Sequence, residues 1–226
     1  NFGNKLWNAT RFALRPIAEQ PIALAADGPA RPTGDLALAD RWILSRLDAT
    51  TEEANRLMRQ HLYGEAGKAI REFLWSELAD WYIEAAKVRL RGTPEEQQAV
   101  AQTLAYAMER SIRLLHPFMP FITEALWQEM PHTGESVMIA SWPEAQPRDL
   151  AAEAEFGALI ETIRAIRNAR TEAGIEPARW IAADIFAGPL TSSFEATRRE
   201  LGTLARVADA ELRISDGAPE GDRGAL

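Results

Sequence analysis

Apolar residues recur every three or four positions through most of the first 130 residues, and prolines and glycines cut that rhythm into lengths. A 3.6-residue period buries one face of a helix, so this stretch is confined to helices packed against helices. Phe2, Leu6, Ala9 and Ala13 predict a helix over 1–15. Pro16, Pro21, Pro29 and Pro32, with Gly28 and Gly34, predict a loop over 16–34. A second helix is expected from 36 to 58, with Trp42, Ile43, Leu47, Ala54 and Leu57 on its buried side. A third, from 64 to 91, carries Ala66, Ile70, Phe73, Leu74, Leu78, Trp81, Ala85 and Val88, a stripe roughly 40 Å long. Thr93-Pro94-Glu95-Glu96 reads as a capping box with proline at the first helical position, opening a helix that lasts to Pro117. Pro120 opens a short helix with Phe121, Ala125 and Leu126 inward, ended by Pro131. The expected fold is mainly α: an antiparallel helical bundle over 1–147.

Beyond Pro147 the texture changes. Asp149 is placed to cap a helix over 150–173, and the β-favouring run 179–186 ends at Gly188-Pro189. A helix over 191–207 and a strand over 211–214 follow, so 148–226 is expected to form a small α/β appendage. Residues 216–226 are expected to fray.

The chemistry available is narrow. With no cysteine there are no disulfides, thiolate metal sites or cysteine nucleophiles, which fits a reducing compartment. His61, His116 and His132 lie apart and outside any HExxH pattern, so no metal site is expected. His116 is expected to close the helix before it, its ring serving the terminal carbonyls. No phosphate loop, dinucleotide fingerprint or nucleophile elbow occurs, and no catalytic residue is assigned. No apolar run approaches the roughly 20 residues of a membrane span, so no membrane partner is expected. The chain lacks an initial Met, as a piece of something longer would.

A net charge of -8 argues against a polyanion partner taken whole, but the charge is unevenly placed. Residues 1–91 hold 13 basic against 12 acidic side chains, and the acidic excess lies beyond them. Of the 25 basic residues only Lys5, Lys68 and Lys87 are lysines. Arginine forks match phosphates and base edges bidentately, although a coding bias toward arginine explains the same count. Three groups of cations invite a nucleic-acid reading. Lys5, Arg11 and Arg15 share the first helix, and Arg41-Trp42 with Arg46 opens the second. Guanidinium beside aromatic suits an unstacked RNA base, whereas Trp42 read as core leaves its neighbours merely solvated. Arg164, Arg167 and Arg170 recur every third residue and suit either a phosphate backbone or a solvent face.

Four blocks then carry a resemblance. The opening NFGNKLWNATRF is similar to the start of the anticodon-binding helical domain of valyl-tRNA synthetases. Residues 39–47 (ADRWILSRL) and 75–87 (WSELADWYIEAAK) resemble that family's second and third helices. Residues 114–127 (LLHPFMPFITEALW) resemble the valyl enzymes most, and Ser141-Trp142-Pro143 resembles the close of the domain. The likeness runs in order over about 1–175.

It implies a module that recognises the anticodon of valine tRNA and positions that tRNA for ATP-dependent aminoacylation. The catalytic domain of the same parent chain would perform the reaction, in a cytoplasmic and monomeric parent. By the resemblance, Arg11, Arg41 and Trp42 contact the anticodon, Trp42 by stacking. Lys5 and Arg46 add phosphate contacts, and Met108, or its neighbour Ala107, adds an apolar one. The family ordinarily has a smaller aromatic where Trp42 stands. The His-x-Gly-His and Lys-Met-Ser-Lys-Ser signatures of class I synthetases do not occur here, nor does the editing domain. ATP and magnesium are therefore expected to belong to the absent catalytic domain, and the piece alone is expected to be inactive. The alternatives are the same module of an isoleucyl or leucyl enzyme, and a helical bundle that binds no RNA.

Overall fold

The structure is a computed structural model that describes residues 2–217. The chain divides into two compact units, Asn1–Glu153 and Ala154–Leu226. The expected fraying of 216–226 falls mostly on residues outside those described.

The first unit is a helical bundle. Helix α1 (Phe2–Glu19) runs beyond its expected end and carries Pro16 inside it, which forfeits one backbone hydrogen bond. Helix α2 (Leu38–Arg59) follows the loop. Helix α3 (Tyr63–Glu72), a π-wound segment Phe73–Tyr82 and helix α4 (Ile83–Arg89) then form one continuous helix. In the π segment Ile83 N–H donates to Leu78 O, five residues back. The wider turn carries the buried face forward, so Tyr82 and Arg89 point inward while Val88 is only half-buried.

Helix α5 (Pro94–Leu115) begins on the expected capping box. Glu96 N–H donates to Thr93 Oγ1 at 3.3 Å, and Thr93 N–H donates to Glu96 Oε2 at 3.0 Å. Helix α6 (Pro120–Glu129) starts at its proline, but its phase differs from expectation. Trp127 turns inward, its Nε1–H donating to buried Glu109 at 2.8 Å, which leaves Phe121 92% exposed and Ala125 outward. The His116 ring also departs from expectation. Its Nδ1 meets Thr123 Oγ1 at 2.8 Å, across the turn, rather than the carbonyls of α5.

Contact partners fix the helix directions. Phe2 stacks on Trp75, Lys5 meets Asp80 and Lys87 lies over Phe12, so α1 runs parallel to the long helix. They are the first and third helices of an up-and-down run, and the two chain reversals between them make them parallel. Asp40 meets Tyr82 and Arg89 while Arg46 meets Glu77, so α2 is antiparallel to the long helix. Trp127, Tyr82, Phe73, Ile43, Leu78 and Leu104 are among the largest buried side chains.

The connection between α1 and α2 holds a short hairpin that its prolines and glycines concealed. Strand β1 (Leu24–Ala25) pairs antiparallel with β2 (Gly28–Pro29), and α5 holds the whole excursion. Gln102 donates to Ala23 O and Ala30 O and accepts from Ala23 N–H, and Arg113 donates to Asp27 O. Gly28 has φ +125°, and a β-carbon there would lie 3.3 Å from the Glu109 carboxylate. The positive φ favours glycine, and a β-carbon would also press on the Glu109 carboxylate.

Helix α7 (Leu150–Glu172) opens where Asp149 Oδ1 accepts Ala152 N–H at 2.9 Å, the expected cap. In the second unit strand β3 (Ile181–Phe186), helices α8 (Thr191–Ala196) and α9 (Arg198–Ala205) and strand β4 (Val207–Ser215) follow. The strands pair in parallel, Ala183 opposite Leu212 and Phe186 opposite Ser215, as a helical crossover permits. Ile185, Phe194, Leu201, Val207 and Leu212 are buried. The protein is thus mainly α with a small α/β part.

Candidate nucleic-acid interface

The candidate cations of the first unit divide by what already holds them. Arg46 is committed to the fold. Its Nε and NH2 grip Glu77 at 2.7 and 3.0 Å, and its NH1 reaches Glu153 at 3.0 Å. The Glu77 hydrogen bond is the chief cause of a guanidinium pKa raised above its already high value. Lys5 is likewise engaged, 2.5 Å from Asp80 and 3.8 Å above the Trp75 ring. Both side chains bind the π segment, so the auxiliary phosphate contacts expected of them are already occupied by carboxylates.

Arg41 and Arg11 are different. Arg41 is 40% exposed and meets one oxygen of Asp149, itself 36% exposed, at 2.8 Å. The other Asp149 oxygen caps α7, so Arg41 can exchange its partner without unseating that helix. A hydrogen bond from the Ala152 amide is the first cause of the lowered Asp149 pKa, and Arg41 adds to it. Arg11 is exposed on α1 and makes no hydrogen bond or ion pair among the described residues.

Trp42 does not occupy the stacking position expected of it. It is 4% exposed, because adjacent residues of a helix point about 100° apart and Arg41 faces outward. Met108 is completely buried on α5 and offers no apolar contact to a ligand, and Ala107 beside it is equally buried.

The arginine row of α7 also separates. Arg164 is exposed and pairs with Glu161 at 2.6 Å. Arg167 donates twice to Leu204 O, at 3.1 and 2.9 Å. Arg170 is 5% exposed and donates to the carbonyls of Ala205, Arg206, Glu176, Pro177 and Arg179. These two cations serve the C-terminal carbonyls of α9, where the helix leaves acceptors unpaired and the dipole favours positive charge. Arg170 is thereby closed to an RNA backbone, whereas Arg167 remains exposed while holding Leu204 O.

The structure adds a site that single residues did not announce. The C-terminal turns of α1 and α4 and the first turns of α5 enclose a cleft of about 480 Å3 lined by Phe12, Arg15, Glu19, Lys87, Arg91 and Gln97. Lys87 lies 5.4 Å over the Phe12 ring. Its pair with Glu84 and the Arg15–Glu19 pair are well exposed, so each contributes about 0–1 kcal/mol and yields readily to a phosphate. Arg91 is exposed and unpaired among the described residues. Asp40, beside Arg41, accepts from Tyr82 and Arg89 at 2.6 Å each, which brings the start of α2 to this same end of the bundle. The only signal in the sequence was that these cations all fall at helix ends, which becomes meaningful once α1 and α4 are known to be parallel. No group of three His, Cys, Asp or Glu able to hold a metal occurs among the described residues. No helix there is long and apolar enough to cross a membrane.

Comparison with known proteins gives a consistent picture. Residues 40–185 match the family described as the anticodon-binding domain of tRNA ligase. The chain is 42% identical over 186 residues to the valine–tRNA ligase of Geobacillus stearothermophilus, covering 80% of this chain and 20% of that protein. It is 45% identical over 178 residues to that of Latilactobacillus sakei subsp. sakei (strain 23K), covering 76% and 20%. It is 43% identical over 178 residues to that of Bacillus anthracis, covering 76% and 19%. The chain spans about one fifth of the length of these curated relatives.

Proposed function

Since this chain belongs to the family of tRNA-ligase anticodon-binding domains, we propose that it recognises the anticodon of valine tRNA. The observation that carries the reading is one end of the bundle. There an unencumbered Arg11, an exchangeable Arg41 and the cleft between α1, α4 and α5 set cations around an apolar floor. Guanidinium forks read base edges and phosphates, and the cleft is of a size for one nucleotide. Arg15, Lys87 and Arg91 supply the phosphate contacts first sought at Lys5 and Arg46. Trp42 acts from below, as core that fixes the turn bearing Arg41.

In this reading the bundle does no chemistry. It selects the tRNA and holds it so that the acceptor end reaches a catalytic domain of the same parent, an ATP-dependent valine ligase. ATP and magnesium belong to that reaction, and no residue of this chain is assigned to them. We place the parent in the cytoplasm as a monomer and expect this chain alone not to aminoacylate.

Titration of the chain with a transcribed valine tRNA at two salt concentrations tests the surface. Arg11→Ala and Arg41→Ala should each weaken binding by about 1–3 kcal/mol, the scale of a lost bidentate or stacking contact. Each should also flatten the salt dependence if its contact is to phosphate. Unchanged affinity in both variants, with unchanged circular dichroism, would remove the two arginines from the interface.

A further inference from the structure

The second unit exposes an aromatic ring that its own fold does not require to be exposed. Trp180, just before β3, is 48% exposed. The Arg206 guanidinium lies 5.5 Å from the centre of its ring. Arg206 is the residue that ends α9, with φ 58° and ψ 44°, the left-handed conformation. Glycine is the usual occupant there, and a residue with a β-carbon is strained in that conformation. A strained arginine kept where glycine is favoured has to be argued from its side chain. Here the side chain covers the indole.

The platform is built from beneath. Arg170, nearly fully buried, donates to Arg206 O at 3.2 Å and to Arg179 O at 2.6 Å, and also to Glu176 O and Pro177 O. Ile181 N–H donates to Arg206 O at 3.1 Å. One buried guanidinium therefore holds both loops that present the pair, the turn at 176–179 and the end of α9. Arg179, adjacent to Trp180, is exposed, and its side chain makes no hydrogen bond or ion pair among the described residues.

The geometry points to a second RNA contact: the Trp180 ring, with the Arg206 guanidinium over it, stacks an unpaired nucleobase. An indole gives any base a π-face, and the Arg206 guanidinium beside it suits the adjoining phosphate. A guanidinium laid against an exposed indole favours a nucleic acid over an apolar protein surface. The inference rests on the proposed RNA partner but not on which residues read the anticodon.

The test uses the whole chain and a valine tRNA transcript carrying 5-bromouridine in place of uridine. Near-ultraviolet irradiation should cross-link the transcript to the peptide containing Trp180. Trp180→Ala should weaken tRNA binding about tenfold, the scale of one lost base stack, while Trp180→Phe stays within about threefold of the parent. Arg206→Gly is the sharper variant, because glycine suits the left-handed backbone. It should unfold no more easily than the parent yet bind tRNA about fivefold more weakly, the scale of a lost guanidinium contact. Parent-like affinity in Trp180→Ala and Arg206→Gly, with no cross-link at Trp180, overturns the platform. If Arg11→Ala and Arg41→Ala still weaken binding in that case, the anticodon reading survives without it. If none of the four variants changes affinity, both readings fall.

Discussion

Asp40 is completely buried between Tyr82 and Arg89, each donating at 2.6 Å. Burying a carboxylate is costly unless its oxygens are paired and hydrogen-bonded, and here each oxygen has its own donor. Burial is also the first cause that holds the Tyr82 hydroxyl in its neutral form, with Asp40 reinforcing it. The triad fixes the first turn of α2 against the long helix, so the direction in which Arg41 leaves the bundle is set from inside. Tyr82→Phe keeps the ring and removes one charge-assisted bond. It should lower stability by about 1.5–3 kcal/mol in urea unfolding. Loss of tRNA affinity without loss of stability would instead place Tyr82 in the interface. At this scale the apolar stripe of α2 already put Trp42 on the buried side, as the structure has it, while the resemblance implied a stacking role. Arg41 and Trp42 are neighbours in the chain, and only the helix phase separates an outward guanidinium from a buried ring.

Most elements were legible because their signals are local. Thr93-Pro94-Glu95-Glu96 specifies a helix start within four residues, and the structure forms both of its reciprocal bonds. Asp149 caps α7 in the same local way. The π segment was not legible, because a 3.6-residue stripe continues through Phe73, Leu78 and Trp81 and conceals the wider winding. Its effect appears in the shifted buried face, with Tyr82 and Arg89 inward, and in which partners reach it, Asp80 for Lys5 and Glu77 for Arg46. The hairpin at 24–29 was hidden because α5, far away in sequence, supplies its hydrogen bonds. The start of α7 is tied to α2 through Glu153, which accepts from Arg148, Ser45 and Arg46. Those bonds, Arg148 first, lower its pKa from 4.5 to about 2. A lowered carboxyl pKa stabilises the fold above its unfolded value, and that stability disappears as pH falls through the folded value. The stability difference between the parent and Glu153→Gln should therefore be constant above about pH 5 and shrink steadily toward pH 2. A difference that persists undiminished at pH 2 would show that this junction does not depend on the Glu153 charge.

For the molecule as a whole, total charge misleads and its placement informs. The net of -8 coexists with a first stretch, 1–91, that is near neutral and carries Arg11, Arg15, Arg41, Lys87 and Arg91. Internal pairing decides which of those cations are available. Arg46 and Lys5 are held by carboxylates, whereas among the described residues Arg11 and Arg91 are not. A surface with few free cations suits selective recognition more than general attraction to polyanions, because each phosphate contact adds to affinity whatever the sequence. Selectivity for the anticodon is therefore the central claim. Its most direct measurement is the affinity of the chain for a hairpin RNA with the anticodon stem and loop of valine tRNA, beside the same hairpin with its anticodon bases exchanged. The first hairpin should bind and the second should lose about tenfold or more, at about 1–3 kcal/mol per misread base. Equal affinity for the two hairpins, or binding of neither, would contradict it.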